Sequence, residues 1–265
     1  MNSALGLSKR HLVVAVSVAI TAVILSISYV HAENQPWQIK KSKHFVVYFQ
    51  EASPGYLNQL VRKAEYYYQS ITDYLGFRRF DFWTWENRCK IYLYPSRSVY
   101  LDDTGNLSWT RAHVHVIKKE MSTYIDQERF FDTILPHELG HIIFREFVGY
   151  KTRLPLWLDE GVACMQEAES QKRSSLARAL VKQGNYIPLA ELSSMRDYNS
   201  IIPAVFYSQA ASIVDFLLRR FGRERFVLLC RRLRDGQDWQ EALKSIYRFE
   251  DLGELEKLWI ANLKG

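Results

Sequence analysis

The chain of 265 residues has few cysteines, no internal repeat and no strong excess of charge of one sign. Its three cysteines, Cys89, Cys164 and Cys230, allow one disulfide at most and lack the CxxC spacing of a structural zinc site, so the sequence implies no disulfide framework. Beyond residue 32 there are 33 Lys and Arg against 29 Asp and Glu. Such a mild excess is not typical of nucleic-acid binding, and we expect no nucleic-acid partner.

The N-terminus combines a basic flank with a long apolar run. Lys9 and Arg10 precede Leu12–Val30, which contains 19 residues and no acidic one. This length is near the lower limit for crossing a bilayer, so the segment reads either as a cleaved signal peptide or as a retained anchor. We predict that residues 1–32 direct export and that residues 33–265 form a domain outside the cytoplasm, periplasmic or anchored to the inner membrane.

The remaining sequence is rich in core-forming residues, with seven Trp, sixteen Tyr and fourteen Phe, which excludes a disordered chain. Strand-like patterns come first and helical ones later, which predicts an α+β fold with an N-terminal mixed sheet and a mainly helical C-terminal half. The predicted elements are a strand over His44–Phe49, a helix from Pro54 to Gly76, strands over Lys90–Pro95 and Ala112–Lys118 with a turn at Asp102–Gly105 between them, and helices from Asp126 onward.

One predicted helix carries polar groups that are suited to a metal. The stretch TILPHELGHIIFREF, Thr133–Phe147, is strongly apolar and must be largely buried. His137 and His141 lie one turn apart, so both imidazoles project from the same side and can reach one zinc ion. Glu138 can address a water on that ion without being a ligand. Buried polar rings are costly unless something satisfies them, and a metal would do so.

A third ligand is expected on the next helix. Phe147 occupies the position where a histidine would complete HExxHxxGxxH, and the surroundings of Cys89 do not suggest a ligand loop. In an antiparallel return, Glu160 would lie at about the same depth, roughly 8–9 Å, as His141 in the preceding helix. Gly161 costs about 1 kcal/mol relative to Ala inside a helix, and a close approach of the two helices at the metal would explain it.

These motifs resemble a known family. HELGH, followed after eighteen residues by a glutamate within WLDEGVA, is similar to the gluzincins, the thermolysin-type zinc metallopeptidases, and more closely to bacterial peptidase MA-like domains, over residues 40–260. The resemblance implies a zincin core in which His137, His141 and Glu160 bind zinc. It also implies that Glu138 is the general base and that a peptide or protein is the substrate.

The resemblance has one departure. Thermolysin-like enzymes often carry a carboxylate four residues after the glutamate ligand, where it can orient a zinc histidine, and that position is Cys164 here. Asp132, Asp159 or a backbone carbonyl is a candidate substitute. Cys164 itself is either a further metal ligand or a buried hydrophobic residue, and its position favours the second interpretation.

Two further elements are candidates for substrate contact. Gluzincins place a Tyr or His donor beside the metal, and Tyr207 resembles that element by its position at the start of the helix Phe206–Gly222; the alternative is an interior tyrosine with a satisfied hydroxyl. Ala112–Val116 is predicted to be an edge strand over the site, along which an extended peptide lies. His113 and His115 would share one face of this strand, either exposed or used in catalysis.

A different class of function competes with the peptidase. A zincin-fold domain that is weakly active or inactive would serve as a binding or assembly module of the cell envelope. The intact HExxH motif argues against this alternative, because a binding module has no need for Glu138. A dense basic group between Arg219 and Arg234 reads as a solvated helix surface rather than a patch for anionic lipid.

Overall fold

The structure is a computed structural model that describes residues 36–77, 83–105, 112–197 and 202–265. The predicted export segment therefore lies outside the described residues. Within these four ranges, every helix is too short or too polar to cross a bilayer.

The N-terminal part forms a mixed five-stranded sheet in the order β1-β2-β3-β5-β4. The strands are β1 Gln38–Lys41, β2 Phe45–Phe49, β3 Cys89–Tyr94, β4 His113–His115 and β5 Glu120–Tyr124. The inner strands pair in parallel, β2 with β3 and β3 with β5, while β1 and β4 pair antiparallel at the two edges. A parallel pair needs a crossover connection, which helices supply here between the inner strands.

One face of the sheet belongs to the hydrophobic core. Phe45, Val47, Ile91, Leu93 and Met121 alternate with more exposed residues along their strands and are fully buried. This period of two is the signature of a sheet with one covered face. The same alternation leaves His113 and His115 exposed on the edge strand β4, as one of the two sequence interpretations expected.

Helices surround and follow the sheet. They are α1 Pro54–Leu75, α2 Arg97–Thr104, α3 Leu135–Val148, α4 Leu156–Cys164, α5 Ser170–Gln183, α6 Leu189–Ser194, α7 Pro203–Phe221, α8 Arg223–Arg234, α9 Trp239–Tyr247 and α10 Leu252–Lys264. Local signals define α1 at both ends: the Ser53 hydroxyl accepts the backbone N–H of Tyr56, and Gly76 ends the helix with φ 81°. A left-handed residue at this position is commonly glycine because it lacks a Cβ.

The mixed α/β architecture with a mainly helical second half agrees with the prediction, and several local details differ. The predicted turn at Asp102–Gly105 is the end of α2, which stops at Gly105 with φ 63°. Only three residues of Ala112–Lys118 form a strand, because a 3₁₀ turn follows at Val116–Lys118. The two unpredicted strands, β1 and β5, are short and largely polar in sequence, so their hydrophobic alternation is weak.

Candidate active site

Helix α3 places two imidazoles side by side. It follows a π-helical segment at Phe130–Ile134 and ends at Gly149, close to the predicted end. Leu139, Ile142 and Phe144 are fully buried and fix the orientation of the helix in the core. On its remaining side the rings of His137 and His141 stand nearly perpendicular, and their Nε2 atoms are 3.2 Å apart.

Helix α4 brings a carboxylate to the same point. Glu160 is 6% exposed, and its Oε2 lies 3.6 Å from Nε2 of His137 and 3.5 Å from Nε2 of His141. The three atoms therefore form a small, nearly equilateral triangle. The antiparallel return expected from the sequence brings together all three of the candidate ligands.

Glycines permit the close packing around α4, but their partners differ from the expectation. Gly161 was expected to face the histidine helix, yet a Cβ at Gly161 would lie 2.5 Å from the carbonyl oxygen of Ala210 in α7. It is Gly140 of α3 that faces α4, where a Cβ would be 3.0 Å from Cα of Ala163. The helix α4 is thus packed between α3 and α7, with a glycine at each contact.

The triangle of donor atoms fits a zinc ion. Ligand distances of about 2.0–2.1 Å in tetrahedral geometry place neighbouring ligand atoms roughly 3.3 Å apart, close to the separations in this site. Each histidine Nδ1 lies beside a carboxylate that can accept its hydrogen, which leaves Nε2 as the ring nitrogen that would bind a metal. Electron-rich atoms this close repel one another unless a proton or a metal cation lies between them.

A carboxylate and an arginine hold His141. Nδ1 of His141 is 3.1 Å from Oδ1 of Asp159, one of the three substitutes proposed from the sequence. Arg145 donates to Oδ2 of Asp159 from Nε at 2.8 Å and Nη2 at 2.7 Å, and to the carbonyl of Thr152 at 2.9 Å. Burial by itself would raise the pKa of Asp159, but His141 and Arg145 hold that pKa below its usual value.

A second carboxylate and arginine hold His137. Its Nδ1 lies 2.9 Å from Oε1 of Glu167, and Arg173 donates to Oε2 of Glu167 from Nε at 3.0 Å and Nη2 at 2.7 Å. Burial would raise the pKa of Glu167, while the hydrogen bonds from His137 and Arg173 lower it below its usual value. Glu167 is therefore ionised at neutral pH and accepts the Nδ1 hydrogen of the histidine.

Glu138 has the free carboxylate of the site. It lies in the first turn of α3, is half-buried, and its side chain forms no hydrogen bond or ion pair with any residue in the described ranges. The negative charge of Glu138 contributes to the raised pKa of Tyr207. A carboxylate that is not engaged by protein donors is available to accept a proton from a water.

Tyr207 is close to the carboxylates of the site. Helix α7 begins at Pro203, so Tyr207 lies in its second turn rather than at its first. Burial and then the charge of Glu160 raise its pKa well above the usual value, which keeps the phenol protonated. The guanidinium carbon of Arg173 is 5.8 Å from the centre of the Tyr207 ring. Among the described residues no partner accepts from or donates to the Tyr207 hydroxyl.

Comparison with protein families gives one match. Residues 98–265, more than half of the chain, match the model of the Peptidase MA superfamily. The chain belongs to the Peptidase MA superfamily. No curated protein matches the chain. The matched region begins after β3, so it is shorter at its N-terminal end than the range of 40–260 expected from the motifs, and it includes α3, α4 and α7.

Membership of the Peptidase MA superfamily indicates a peptidase, and members are generally metal-dependent. In this member Asp132, another proposed substitute for the missing carboxylate, has its side chain at the surface. Its side chain is 64% exposed and pairs with Lys63 at 3.2 Å. Asp132 cannot orient either imidazole from there.

Cys164 is buried beside the site without contacting the triangle of donor atoms. It is fully buried and not in a disulfide, and burial raises the pKa of its thiol well above the usual value. Its Sγ is 4.0 Å from Nδ1 of His137, on the ring nitrogen that the carboxylate of Glu167 already engages. Its Sγ also lies within 4.8 Å of ligand atoms of His137 and Glu167, a second group that could hold a metal ion. Complete burial and the raised pKa, which disfavours the thiolate, favour the interpretation as a buried hydrophobic residue.

Three polar residues of this candidate site were missed from the sequence: Arg145, Glu167 and Arg173. Arg145 follows His141 by one turn of α3, and this spacing was an available signal. Glu167 and Arg173 gave none, because α4 ends at Cys164 and a tight turn interrupts the helical period before α5.

Proposed function

We propose that the chain is an exported zinc metallopeptidase that cleaves peptide bonds. The observation that supports this proposal most strongly is the triangle of donor atoms from His137, His141 and Glu160, which lie within 4.8 Å of one another. Its geometry and its chemistry suit zinc, and the family indicates peptide or protein substrates. A bound zinc ion would lower the pKa of a water towards about 7 and polarise the carbonyl under attack.

The side chains around the triangle then have distinct tasks. Glu138 removes a proton from the attacking water and returns it to the leaving amine, since no donor among the described residues engages its carboxylate. The Tyr207 hydroxyl donates a hydrogen bond to the carbonyl oxygen as negative charge develops there. Its raised pKa keeps that hydrogen in place across the neutral range.

We further propose that an extended peptide binds along β4. This strand is at one edge of the sheet, and among the described strands it pairs with β5 alone. Its outer backbone groups are therefore available for strand addition. The turn Val116–Lys118 that follows β4 contacts α3, which links this edge to the helix with the histidines.

The test is the metal content and the peptidase activity of the purified protein. We expect close to one zinc per chain by elemental analysis and cleavage within a peptide library. Glu138→Gln keeps the size of the side chain and removes the base, so zinc content should persist while turnover falls by about 10²–10⁴-fold. Glu169→Gln is a matched control, because Glu169 lies at the surface in ion pairs with Arg129 and Lys172.

Two results would contradict the proposal. The absence of zinc from protein prepared without chelators would exclude the proposed zinc site. Equal turnover in wild type and Glu138→Gln would exclude Glu138 as the general base. Zinc binding without cleavage of any peptide would instead favour the binding or assembly module of the cell envelope.

A further inference from the structure

Each of the two histidines of the site has a carboxylate beside its Nδ1, and the two carboxylates come from different parts of the sequence. Asp159, which supports His141, directly precedes Glu160 in α4. The support of His137 comes from Glu167, beyond the end of that helix. The position where thermolysin-like enzymes often carry the orienting carboxylate holds Cys164, whose sulfur is too far from Nδ1 for a strong hydrogen bond, at 4.0 Å.

We infer that Glu167 and Arg173 are positioning residues of this metal centre, which replace the carboxylate absent at Cys164. The inference rests on the proposed function, because it assigns these residues to the orientation of a zinc ligand. Glu167 contacts Nδ1 of His137 at 2.9 Å, and Arg173 grips the other oxygen of the same carboxylate through two nitrogens. Such a two-point contact fixes direction as well as distance.

The backbone around Glu167 holds the carboxylate in place. A tight turn joins α4 to α5, and in it the N–H of Glu167 donates to the carbonyl of Cys164 at 3.3 Å. The next residue, Ala168, donates to the carbonyl of Asp132 at 2.9 Å, which ties the turn to the segment that precedes the histidine helix. The side chain of Glu167 is only 2% exposed, so water competes little for its oxygens.

The burial of Glu167 also explains why an arginine is needed. An ionised carboxylate removed from water is costly unless it is paired and hydrogen-bonded. Arg173 satisfies that requirement from the first turn of α5, where it is 26% exposed. Its guanidinium also lies over the ring of Tyr207 at 5.8 Å. One arginine thus contacts both the support of a metal ligand and the proposed oxyanion donor.

The contacts predict different effects for two variants of this pair. Glu167→Gln keeps an oxygen that can accept from Nδ1 but removes the negative charge, and Arg173→Lys keeps a positive charge but loses the planar fork. Changes in such outer contacts commonly weaken metal binding by about 10–100-fold. We expect Glu167→Gln to raise the zinc Kd within that range and Arg173→Lys to raise it less. Only Arg173→Lys should also slow turnover at saturating zinc through the altered contact with Tyr207.

The experiment measures the zinc Kd of the purified full chain by competition with a chromophoric chelator, together with the unfolding midpoint of each zinc-free variant. Glu169→Gln is the control, since it lies two residues from Glu167 and contacts no histidine. A zinc Kd that rises in Glu167→Gln and not in Glu169→Gln supports the inference. An unchanged Kd in Glu167→Gln, or an equal rise in both variants, overturns it.

The same measurements separate this inference from the proposed function. If zinc binding weakens in Glu167→Gln while wild type cleaves no peptide, the peptidase assignment fails and the positioning role stands. If wild type cleaves peptides and its zinc Kd is insensitive to Glu167→Gln, only the positioning role fails. Wild-type protein that binds no zinc overturns both. A zinc Kd that rises equally in Glu167→Gln and Glu169→Gln, together with an equal fall of their zinc-free unfolding midpoints, overturns the positioning role as well.

Discussion

At the scale of single residues, the polar groups of the site divide into those engaged with protein and those available to a substrate. His137 and His141 each have one ring nitrogen held by a carboxylate, so their orientation is determined before any ligand arrives. Glu138 and Tyr207 make no side-chain hydrogen bond with the described residues. This division matches the different needs of ligand positioning and proton transfer.

Tyr207→Phe tests the proposed oxyanion donor by removing only a hydroxyl group. Loss of one such donor typically reduces turnover by about 10²–10³-fold. We expect that loss in kcat measured on a peptide that the wild type cleaves, with zinc content and unfolding midpoint unchanged.

Tyr66→Phe is the control for Tyr207→Phe, because Tyr66 is 63% exposed on α1. Tyr207→Phe with the kcat of wild type would exclude Tyr207 from the mechanism. A large loss of turnover in Tyr66→Phe would show that the assay responds to structural changes far from the site.

At the scale of the elements, the site depends on the tight packing of α4 between two helices. The proposed ligand Glu160 directly precedes Gly161 in α4. When α4 presents the Glu160 carboxylate to α3, it therefore turns Gly161 towards α7. A side chain at Gly161 would push α4 away from α7. The packing of α7 against α4 is therefore coupled to the position of a proposed metal ligand.

Gly161→Ala should destabilise the protein even though alanine is the better helix former. The new Cβ would meet the carbonyl oxygen of Ala210 at 2.5 Å and Cγ2 of Val214 at 2.7 Å. Overpacking of this kind costs about 1–3 kcal/mol, which exceeds the gain of about 1 kcal/mol in helix propensity. We expect a lower free energy of unfolding in denaturant titrations and a raised zinc Kd.

Gly55→Ala is the matched control for this packing effect. Gly55 lies in the first turn of α1, and the nearest atom to an added Cβ is Oγ of Ser53 at 3.9 Å. Its substitution should leave the free energy of unfolding unchanged or raise it. Gly161→Ala with the stability of wild type would contradict the role of glycine at this contact.

At the scale of the whole molecule, the proposed metal connects two helices of the core. The proposed ligands lie in α3 and α4, which are separated in sequence by a turn that contains Gly149. Zinc that binds the folded state and not the unfolded chain should stabilise the fold by about 2.7 kcal/mol at a concentration hundredfold above its Kd. Chelation should remove this increment in a thermal unfolding measurement.

Two variants distinguish specific binding from general effects of zinc. Glu160→Gln should lose most of the stabilisation by zinc, because the amide is a weaker ligand than a carboxylate. His113→Gln on the exposed edge strand should keep it. Equal stabilisation of all variants by zinc would show that the ion binds at a site that does not include Glu160.

Export concerns the entire chain. The basic flank and apolar run within residues 1–32 predict that residues 33–265 are outside the cytoplasm. A reporter that works only outside the cytoplasm should be active when it is fused after residue 265. Mass spectrometry of the mature N-terminus would distinguish cleavage after Ala32 from a retained anchor. Activity of a reporter that works only in the cytoplasm would contradict this prediction.

Elements with strong local signals were predictable from the sequence. The cap of Ser53 and the left-handed Gly76 define α1, and the apolar period of α3 ends at Gly149 as expected. Within α3 the spacing of His137 and His141 by one turn is enough to place both rings on one side. Short edge strands and the start of α7 at Pro203 were less predictable, because their local patterns are weak.

Pairs of residues within one turn of a helix could be read from the amino-acid order alone, because helix geometry sets their separation whatever surrounds them. These pairs include His137 with His141, and Glu138 with its neighbour His137. Only the tertiary structure decided that Glu167 reaches His137 across 30 residues and that Gly161 faces α7. Both depend on the direction of a turn and on the packing of helices against one another, which non-local contacts determine.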